Sequence, residues 1–410
     1  MKKIVIIGAG FGGLNAAKIL CKNKKLNITI IDKKNHHLFQ PLLYQVATAG
    51  LNESDIAYPI RSIFRNKKNV TVYKETVIDF DFNTKTVITD SNKHSYDYLI
   101  IACGAVENYF GKDKWAKYAP TLKNLNHAQQ LRNKILNAFE MAEKTKDDNE
   151  KRKYLTFVVI GGGPTGVELA GAIGEMTRFT LAKDFRNIDP RLSRIILIEA
   201  ADKILATFDD KLINKAVRNL ESLGVQVWTK SMVTDIDEKG VTIGNERLES
   251  ATIIWAAGIK ANPLSEKLPG NKDKMGRIIV NKDLSIENYP DVFVVGDLAH
   301  FEQNGKILPG IAPVAMQQGK FVAKLILAEL KGKKRTQFKY FDKGQMATIG
   351  RSKAIAEIKN LKLSGFIAWI TWILVHIMYL TGFKNRIFVM LQWAWSYLTL
   401  KKGARLIIDD

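Results

Sequence analysis

Short apolar runs closed by glycine set the pattern of this chain. Lys3-Ile4-Val5-Ile6-Ile7 leads into Gly8-Ala9-Gly10-Phe11-Gly12-Gly13, a switch that predicts a buried parallel strand, a tight turn and then a helix. Gly8 permits the turn and Gly10 lets the backbone approach a pyrophosphate. Gly13 lets the helix lie close against the strand with its free N–H groups facing an anion. A second run, Ile28-Thr29-Ile30-Ile31, precedes Asp32, where a carboxylate accepts hydrogen bonds from an adenosine ribose. Strand, glycines, helix, strand and acid in this order describe a dinucleotide-binding βαβ unit.

The pattern returns at Thr156-Phe157-Val158-Val159-Ile160, followed by Gly161-Gly162-Gly163-Pro164-Thr165-Gly166 and the helical Val167-Glu168-Leu169-Ala170. Its second run, Ile195-Ile196-Leu197-Ile198, ends at Glu199. That acid lies farther from its glycines than the usual ~20 residues, which a longer helix and a loop around residues 187–190 account for. Two such units imply two dinucleotides.

Residues 35–43 show no clear period and read as a loop leading to a helix near 45–49. Strands are predicted at 70–73, 77–82 and 86–88, and at 96–104 a buried strand ends in the small residues Ala102-Cys103-Gly104, where a backbone can pass close to a flat ring. A helix over 126–141 trails into the charge run 143–153, read as a solvated helix end or linker at a domain boundary. The second unit continues through 225–228 and 240–243 to 251–258, repeating the pattern of 96–104. Asp291-Val292-Phe293-Val294-Val295-Gly296-Asp297 places an acid at the C-terminal end of a buried strand, where ligands bind in such sheets. Residues 310–330 read as a helix carrying Gln317 and Gln318.

Composition and charge change this picture in four ways. Only Cys21 and Cys103 are present, far apart, so neither a disulfide framework nor a thiolate metal site is expected. Adjacent His36 and His37 lack a third ligand at a sensible spacing, so no metal is expected there either. The apolar N-terminus is broken by glycine and reads as a strand rather than a secretion signal. The net charge of +21 is concentrated: residues 331–410 hold fifteen Lys or Arg against four Asp or Glu. The longest apolar runs lie there too, 363–383 with Trp369 and Trp372, and 387–400 with Trp393 and Trp395, bracketed by Lys384, Arg386, Lys401, Lys402 and Arg405. Basic plus apolar favours an anionic membrane surface over nucleic acid. Hydropathy alone would make 363–383 a span, but the polar interruptions Thr371, His376, Tyr379 and Thr381 and the flanking cations favour two stretches lying in one leaflet.

The two glycine motifs, the strand ending Ala102-Cys103-Gly104 and Val294-Val295-Gly296-Asp297 together resemble the two-dinucleotide-binding-domain flavoproteins. Within them the chain is most similar to the type II NADH:quinone oxidoreductases. Gly161 to Gly171, the stretch Asp342-Lys343-Gly344-Gln345-Met346-Ala347-Thr348-Ile349-Gly350-Arg351 and the basic, tryptophan-rich C-terminus carry that likeness. One departure stands out: the family's Ala-Gln-x-x-x-Gln pattern reads Ala312-Pro313-Val314-Ala315-Met316-Gln317, with Pro313 for the first glutamine. Disulfide reductases need a cysteine pair that residues 36–51 lack, and sulfide:quinone oxidoreductases need sulfur-carrying cysteines that Cys103 alone cannot supply.

The resemblance implies an α/β fold of two Rossmann-like domains, an FAD domain (1–125 and 259–335) interrupted by an NADH domain (126–258), followed by an amphipathic helical membrane-binding region (336–410). It implies hydride transfer from NADH to FAD and two electrons onward to a membrane quinone, without proton pumping, on the cytoplasmic face of the membrane. Glu168, Gln317 and Lys343 would surround the flavin ring: Glu168 positioning the rings or relaying protons, Gln317 facing quinone, Lys343 stabilising negative charge. Cofactor contacts are expected from Gly8, Gly10, Phe11, Gly12, Gly13, Asp32, Lys33, His37, Val77, Ala102, Gly104, Gly296, Asp297, Ala315 and Gln317. In the second unit they are expected from Gly161, Gly163, Thr165, Gly166, Glu168, Glu199, Ala257 and Gly258. Glu199 favours NADH over NADPH, with Arg194 or Lys203 able to weaken that preference. A homodimer is compatible with this reading. Two other classes compete with it: a soluble NAD(P)H:acceptor reductase using its C-terminus as an oligomer interface, and a non-catalytic flavoprotein sensing NADH.

Overall fold

The computed structural model describes residues 1–399 and 402–408. Leu400, the last residue of the second apolar stretch, and Lys401, the first cation after it, lie outside the described residues. In chain order the principal elements are β1 (Lys2–Ile7), α1 (Phe11–Leu20), β2 (Leu26–Asp32), α2 (Leu43–Ala47), β3 (Val70–Lys74), β4 (Tyr98–Ile101), α3 (Leu125–Lys144), β5 (Thr156–Ile160), α4 (Pro164–Glu175), β6 (Arg194–Ile198), α5 (Asp210–Ser222), β7 (Val225–Trp228), β8 (Thr252–Trp255), β9 (Ser285–Ile286), β10 (Tyr289–Val294), α6 (Ala312–Glu329), β11 (Gln345–Gly350), β12 (Lys353–Ile358), β13 (Leu361–Ser364), α7 (Phe366–Tyr379) and α8 (Phe383–Thr399). They fall into two compact units, residues 1–38, 58–106 and 259–342, and residues 39–57, 107–258 and 343–410.

The first unit is a sheet in the order β9-β10-β4-β1-β2-β3, parallel except for the β9–β10 edge pair. Alternation in β1 sends Ile4 and Ile6 into one core with α1 and α6, and Val5 and Ile7 into another on the opposite face. Both faces are thereby covered, which is why the strands read as continuous apolar runs. The strand order reverses beside β1, so a crevice forms at the C-terminal ends of β1 and β4, the place where such sheets bind ligands. Helix α6 crosses α1 so closely that a Cβ on Gly319 would stand 2.1 Å from the carbonyl oxygen of Gly12.

The second unit carries a parallel sheet in the order β7-β6-β5-β8 and an antiparallel meander, β11-β12-β13. Helix α4 lies directly on β11: a Cβ on Gly171 would come within 1.8 Å of the Ile349 carbonyl oxygen. Helix α7 packs on the meander through Ala354, Ala356 and Ala368, small residues that let helix and strands approach. Helix α8 is pinned by the buried amide of Asn385, which donates to the carbonyls of Ser54 and Asp55 at 2.9 Å each.

The contact-based grouping differs from the boundaries drawn from sequence at 125, 258 and 335: residues 39–57 leave the first glycine unit and join α3, α4 and the C-terminal helices. The reason is α2, which packs on α3 and α4. That helix begins at Leu43 and ends at Ala47 rather than spanning 45–49, because Ala49 turns left-handed (φ 56°). The charge run also holds a helix of its own, Asp148–Tyr154, started by the Asp147 side chain accepting from the N–H of Glu150 at 2.8 Å. Strand β13 takes the first residues of the 363–383 run, and α7 keeps fourteen residues. At 1.5 Å per residue that is about 21 Å, short of the ~30 Å hydrocarbon core. Among the described residues no helix is long and apolar enough to cross a membrane.

Candidate functional site

Each glycine turn is built from the same backbone demands. Gly8 has φ 89° and a Cβ there would lie 2.5 Å from the Ala102 carbonyl; a Cβ on Gly13 would lie 1.9 Å from the Gly8 carbonyl. In the second unit Gly161 has φ 114°, and a Cβ on Gly166 would lie 1.9 Å from the Gly161 carbonyl. Gly10 and Gly163, by contrast, have no atom within 4 Å of where a Cβ would stand. Both turns thus present an open face to solvent at a helix N-terminus, a cradle for a pyrophosphate.

Acids brace both turns. Asp32 accepts from the N–H of Ala9 at 2.7 Å and of Lys34 at 2.8 Å; Glu199 accepts from the N–H of Gly162 at 2.6 Å and of Ala201 at 2.8 Å. Burial raises the Asp32 carboxyl, and the two N–H groups pull it back. Each carboxylate keeps lone pairs for a ribose. The cations that could have compromised Glu199 are engaged elsewhere: Lys203 pairs with Asp210 at 2.8 Å, and Arg194 lies over the Trp228 ring.

Other expected contacts fall into place within their own units. His37 is buried, its Nδ1–H donates to the Ala9 carbonyl at 2.8 Å and its ring meets Phe11 edge-on. Burial lowers its pKa to about 4, so it is a neutral clamp on the turn. Lys33 is exposed beside Asp32, and Val77 is half-buried at the start of its strand. Ala102 and Gly104 close β4. Gly12 contacts Val295 and Ala315, Gly296 has φ 76° with Ala315 behind it, and Asp297 faces Gly310. Gln318, whose part the sequence reading missed, is almost wholly buried and accepts from the Gly296 N–H at 2.7 Å, fixing that turn. In the second unit Thr165 is exposed at the start of α4, and Ala257-Gly258 follow β8 with Gly258 against Phe110. Among the described residues no cluster of three metal-ligating side chains occurs.

The three residues expected around the reaction are placed as follows. Gln317, in the first unit, spends its amide on Phe341 in both directions, donating at 2.9 Å and accepting at 3.0 Å. Pro313 sits in the first turn of α6, where a helix has no use for its missing N–H. In the second unit Lys343 donates to the Tyr379 hydroxyl at 2.8 Å. Glu168 lines a cavity of about 120 Å³ within that unit, meets the N–H of Thr348 at 3.4 Å, and is raised by burial to about 8, so it carries a proton at neutral pH.

The other walls of this cavity come from Tyr44 and Gln45 on α2, Glu175 on α4, Arg351 after β11, Trp369 and Trp372 on α7, Trp393 and Tyr397 on α8, and Lys402. Sequence reading named Glu168, Arg351, Trp369, Trp372, Trp393 and Lys402 separately but did not bring them into one cavity. Its members lie up to hundreds of residues apart, and the one available signal was that Glu175, seven residues after Glu168, shares its helix face.

A family model described as pyridine nucleotide-disulphide oxidoreductase matches residues 2–319, and one described as the NDH2 C-terminal domain matches residues 343–400. Among curated proteins, the chain is 44% identical over 424 residues to the type II NADH:quinone oxidoreductase Ndh of Mycobacterium tuberculosis (strain ATCC 25618 / H37Rv), covering 100% of this chain and 90% of that protein. It is 34% identical over 375 residues to the type II NADH:quinone oxidoreductase of Staphylococcus haemolyticus (strain JCSC1435), covering 89% and 91%. Among solved structures it resembles NDH2 from Plasmodium falciparum in complex with NADH, with a TM-score of 0.88 over 100% of both chains at 22% identity. It also resembles the sulfide:quinone oxidoreductase of Aquifex aeolicus, with a TM-score of 0.77 over 94% and 92% of the chains at 18% identity. At these identities the two structural matches speak for the fold alone.

Proposed function

The chain belongs to the type II NADH:quinone oxidoreductases, and on that premise we propose how its residues share the work. It is an enzyme that takes a hydride from NADH and passes two electrons to quinone through FAD, without pumping protons. FAD supplies the two-electron relay between the substrates; binding, orientation and proton supply fall to side chains. The open turn at Gly10, braced by Asp32 and His37, fits FAD, and the turn at Gly163, braced by Glu199, fits NADH. Glu199 repels a 2′-phosphate and so selects NADH. Glu168 donates a proton to quinone, and Lys343, held by Tyr379, would supply positive charge where a bound flavin gains electrons. Gln317 holds the segment at Phe341 that leads into Lys343.

One observation carries the reading of the quinone side. The protonated carboxyl of Glu168 opens on a cavity walled by tryptophans of α7 and α8, and the outer faces of those same helices expose Ile367, Leu374, Met378, Phe383, Leu391 and Leu398. With Lys384 and Arg386 between them, they form a surface suited to lying in one leaflet with cations at the headgroups. We infer a monotopic seat with quinone reaching Glu168 from the leaflet, which the exposed apolar side chains of α7 and α8 support; the cytoplasmic face is inferred from the resemblance to the type II NADH:quinone oxidoreductases alone.

The chemistry is tested by stopped-flow flavin absorbance, bleaching with NADH and recovering with quinone; no bleaching with NADH would remove the premise. The membrane reading is tested with anionic vesicles: Phe383→Asp with Leu391→Asp should abolish most binding while turnover of a soluble quinone persists. Unchanged binding, or labelling of a probe at Lys384 from the outer face, would contradict it.

A further inference from the structure

Stoichiometry sets a demand that Glu168 alone does not meet. NADH, quinone and one proton give NAD⁺ and quinol: the hydride carries two electrons and one proton, so each turnover draws one more proton from water. Once Glu168 has given up its proton, another must reach it.

One stripe of α4 lines the cavity, with Glu168, Ala172, Glu175 and, beyond the helix, Phe179. The two carboxylates stand seven residues apart, about 10 Å along the axis. At the far end Glu175 accepts from the Arg351 N–H, and the exposed Phe179 marks the approach to solvent. The cavity of about 120 Å³ has room for several waters, each of which needs only about 10–15 Å³.

Across from this stripe is a hydrogen-bond chain whose direction is fixed. The Trp393 indole N–H donates to Gln45 Oε1 at 2.7 Å, and Gln45 Nε2 donates to the Tyr44 hydroxyl oxygen at 2.9 Å. Tryptophan has only a donor, so the Gln45 amide cannot be turned around. The Tyr44 oxygen is therefore an acceptor toward Gln45, and its own proton must be donated in another direction. Tyr44 is buried on the cavity wall, and the negative charges acting on it are Glu168 and Glu175.

We propose that Tyr44 relays to Glu168 the proton that quinone reduction draws from water at the Glu175 end of the cavity, and that Gln45 and Trp393 set the direction of the relay. The proposal rests on the reading of Glu168 as the proton donor. As the quinol O–H forms, the Glu168 O–H breaks. The carboxylate then takes the Tyr44 proton while Tyr44 takes one from a cavity water, and the hydroxide left behind is neutralised by a proton from solvent. Tyr44 ends as it began, a positioning and relay residue that need not touch quinone. Burial and the two carboxylates hold its phenol well above the ordinary range, so it stays a donor throughout. Arg351 and Lys402 line the cavity, α7 brings His376 behind Trp372, and the buried charge on α3, Arg132, is paired with Glu53 at 2.8 Å.

The test uses the full-length holoenzyme and a soluble quinone, comparing the first flavin reoxidation after reduction with steady-state turnover. The first event uses the proton already on Glu168; later ones need the relay. Tyr44→Phe should lower turnover about tenfold, affect the first event far less, enlarge the solvent deuterium effect on turnover and respond to added imidazole buffer, which delivers protons without the tyrosine. Trp393→Phe, which keeps an aromatic ring but loses the indole N–H, should lower turnover about threefold with the same buffer response, and it serves if the Tyr44 variant fails to hold FAD. Turnover and isotope effect as in the native enzyme, or equal slowing of the first event with no buffer response, would overturn the relay. Glu168→Gln separates the two readings. If it slows the first event while Tyr44→Phe turns over normally, the relay alone is wrong. If it leaves the first event unchanged, the role of Glu168 falls and the relay falls with it.

Discussion

The two glycine-turn helices carry different residues at the same place. Two positions after the third glycine, α1 has Asn15 and α4 has Glu168. Asn15 donates to the Phe11 carbonyl of its own helix at 2.8 Å; Glu168 faces a cavity and is held protonated by burial. Around them the turns are nearly superimposable in logic. The carbonyl of Ala9 is held by His37 and that of Gly162 by the Leu205 N–H at 2.8 Å, while the N–H of each goes to an acid, Asp32 or Glu199. A dinucleotide cradle is thus fixed by backbone requirements that any copy must meet. The chemistry that distinguishes the copies rests on one helix position and on what is packed in front of it.

Breaking the shared part should have the largest effect. Gly166→Val puts a side chain into the Gly161 carbonyl and should slow reduction by NADH more than ~100-fold while FAD stays bound. Gly13→Val, the equivalent change, should cost FAD itself. Flavin-to-protein ratio and the NADH-driven bleach distinguish them, and equal flavin loss in both would deny that the two units hold different nucleotides.

Next comes the position that differs. Glu168→Gln should slow reoxidation by quinone about 100-fold and leave NADH-driven reduction within twofold. It should also stabilise the fold. With a folded pKa of about 8 against an ordinary 4.5, the native chain holds a proton that the unfolded chain has released. Stability contributed by this group is therefore full below about 4.5 and is lost as pH rises toward 8. The amide suffers no such loss, so a gain of about 1–3 kcal/mol should appear in urea unfolding near pH 7.5 and vanish near pH 4.5.

Smaller effects sharpen the picture. Glu199→Arg should raise the NADPH-to-NADH ratio of kcat/KM about tenfold or more, because a ribose acceptor becomes a cation for the 2′-phosphate; an unchanged ratio would count against Glu199. Gln317→Ala, which frees Phe341, should slow reoxidation about threefold and reduction less. Equal changes in both half-reactions would show that Gln317 is not specific to the quinone side.

Both sheets were legible in the sequence because their signals are local: apolar runs of four or five residues, a glycine turn and an acid, each within reach of its neighbours. The acids and glycines at Asp32, Glu199, Gly10 and Gly163 were legible for the same reason. What the sequence hid was assembled at long range. Trp393 and Gln45 are 348 residues apart, and although a helix near 45–49 was legible, nothing local showed that it packs on α3 and α4. Gln317 carried a motif, yet its amide is taken by the Phe341 peptide, a contact that motif spacing could not foretell. The apolar character of α7 and its flanking cations were readable, whereas its length was not, since β13 takes the first residues of the apolar run.

The most direct measurement is the pH dependence of the two half-reactions of the native enzyme, from about pH 6 to about pH 9.5. Reoxidation by quinone should hold below neutrality and fall as Glu168 loses its proton through about pH 8, while reduction by NADH stays level. A reoxidation rate that is flat across the range, or a fall shared equally by both half-reactions, would contradict the assignment of proton supply to Glu168.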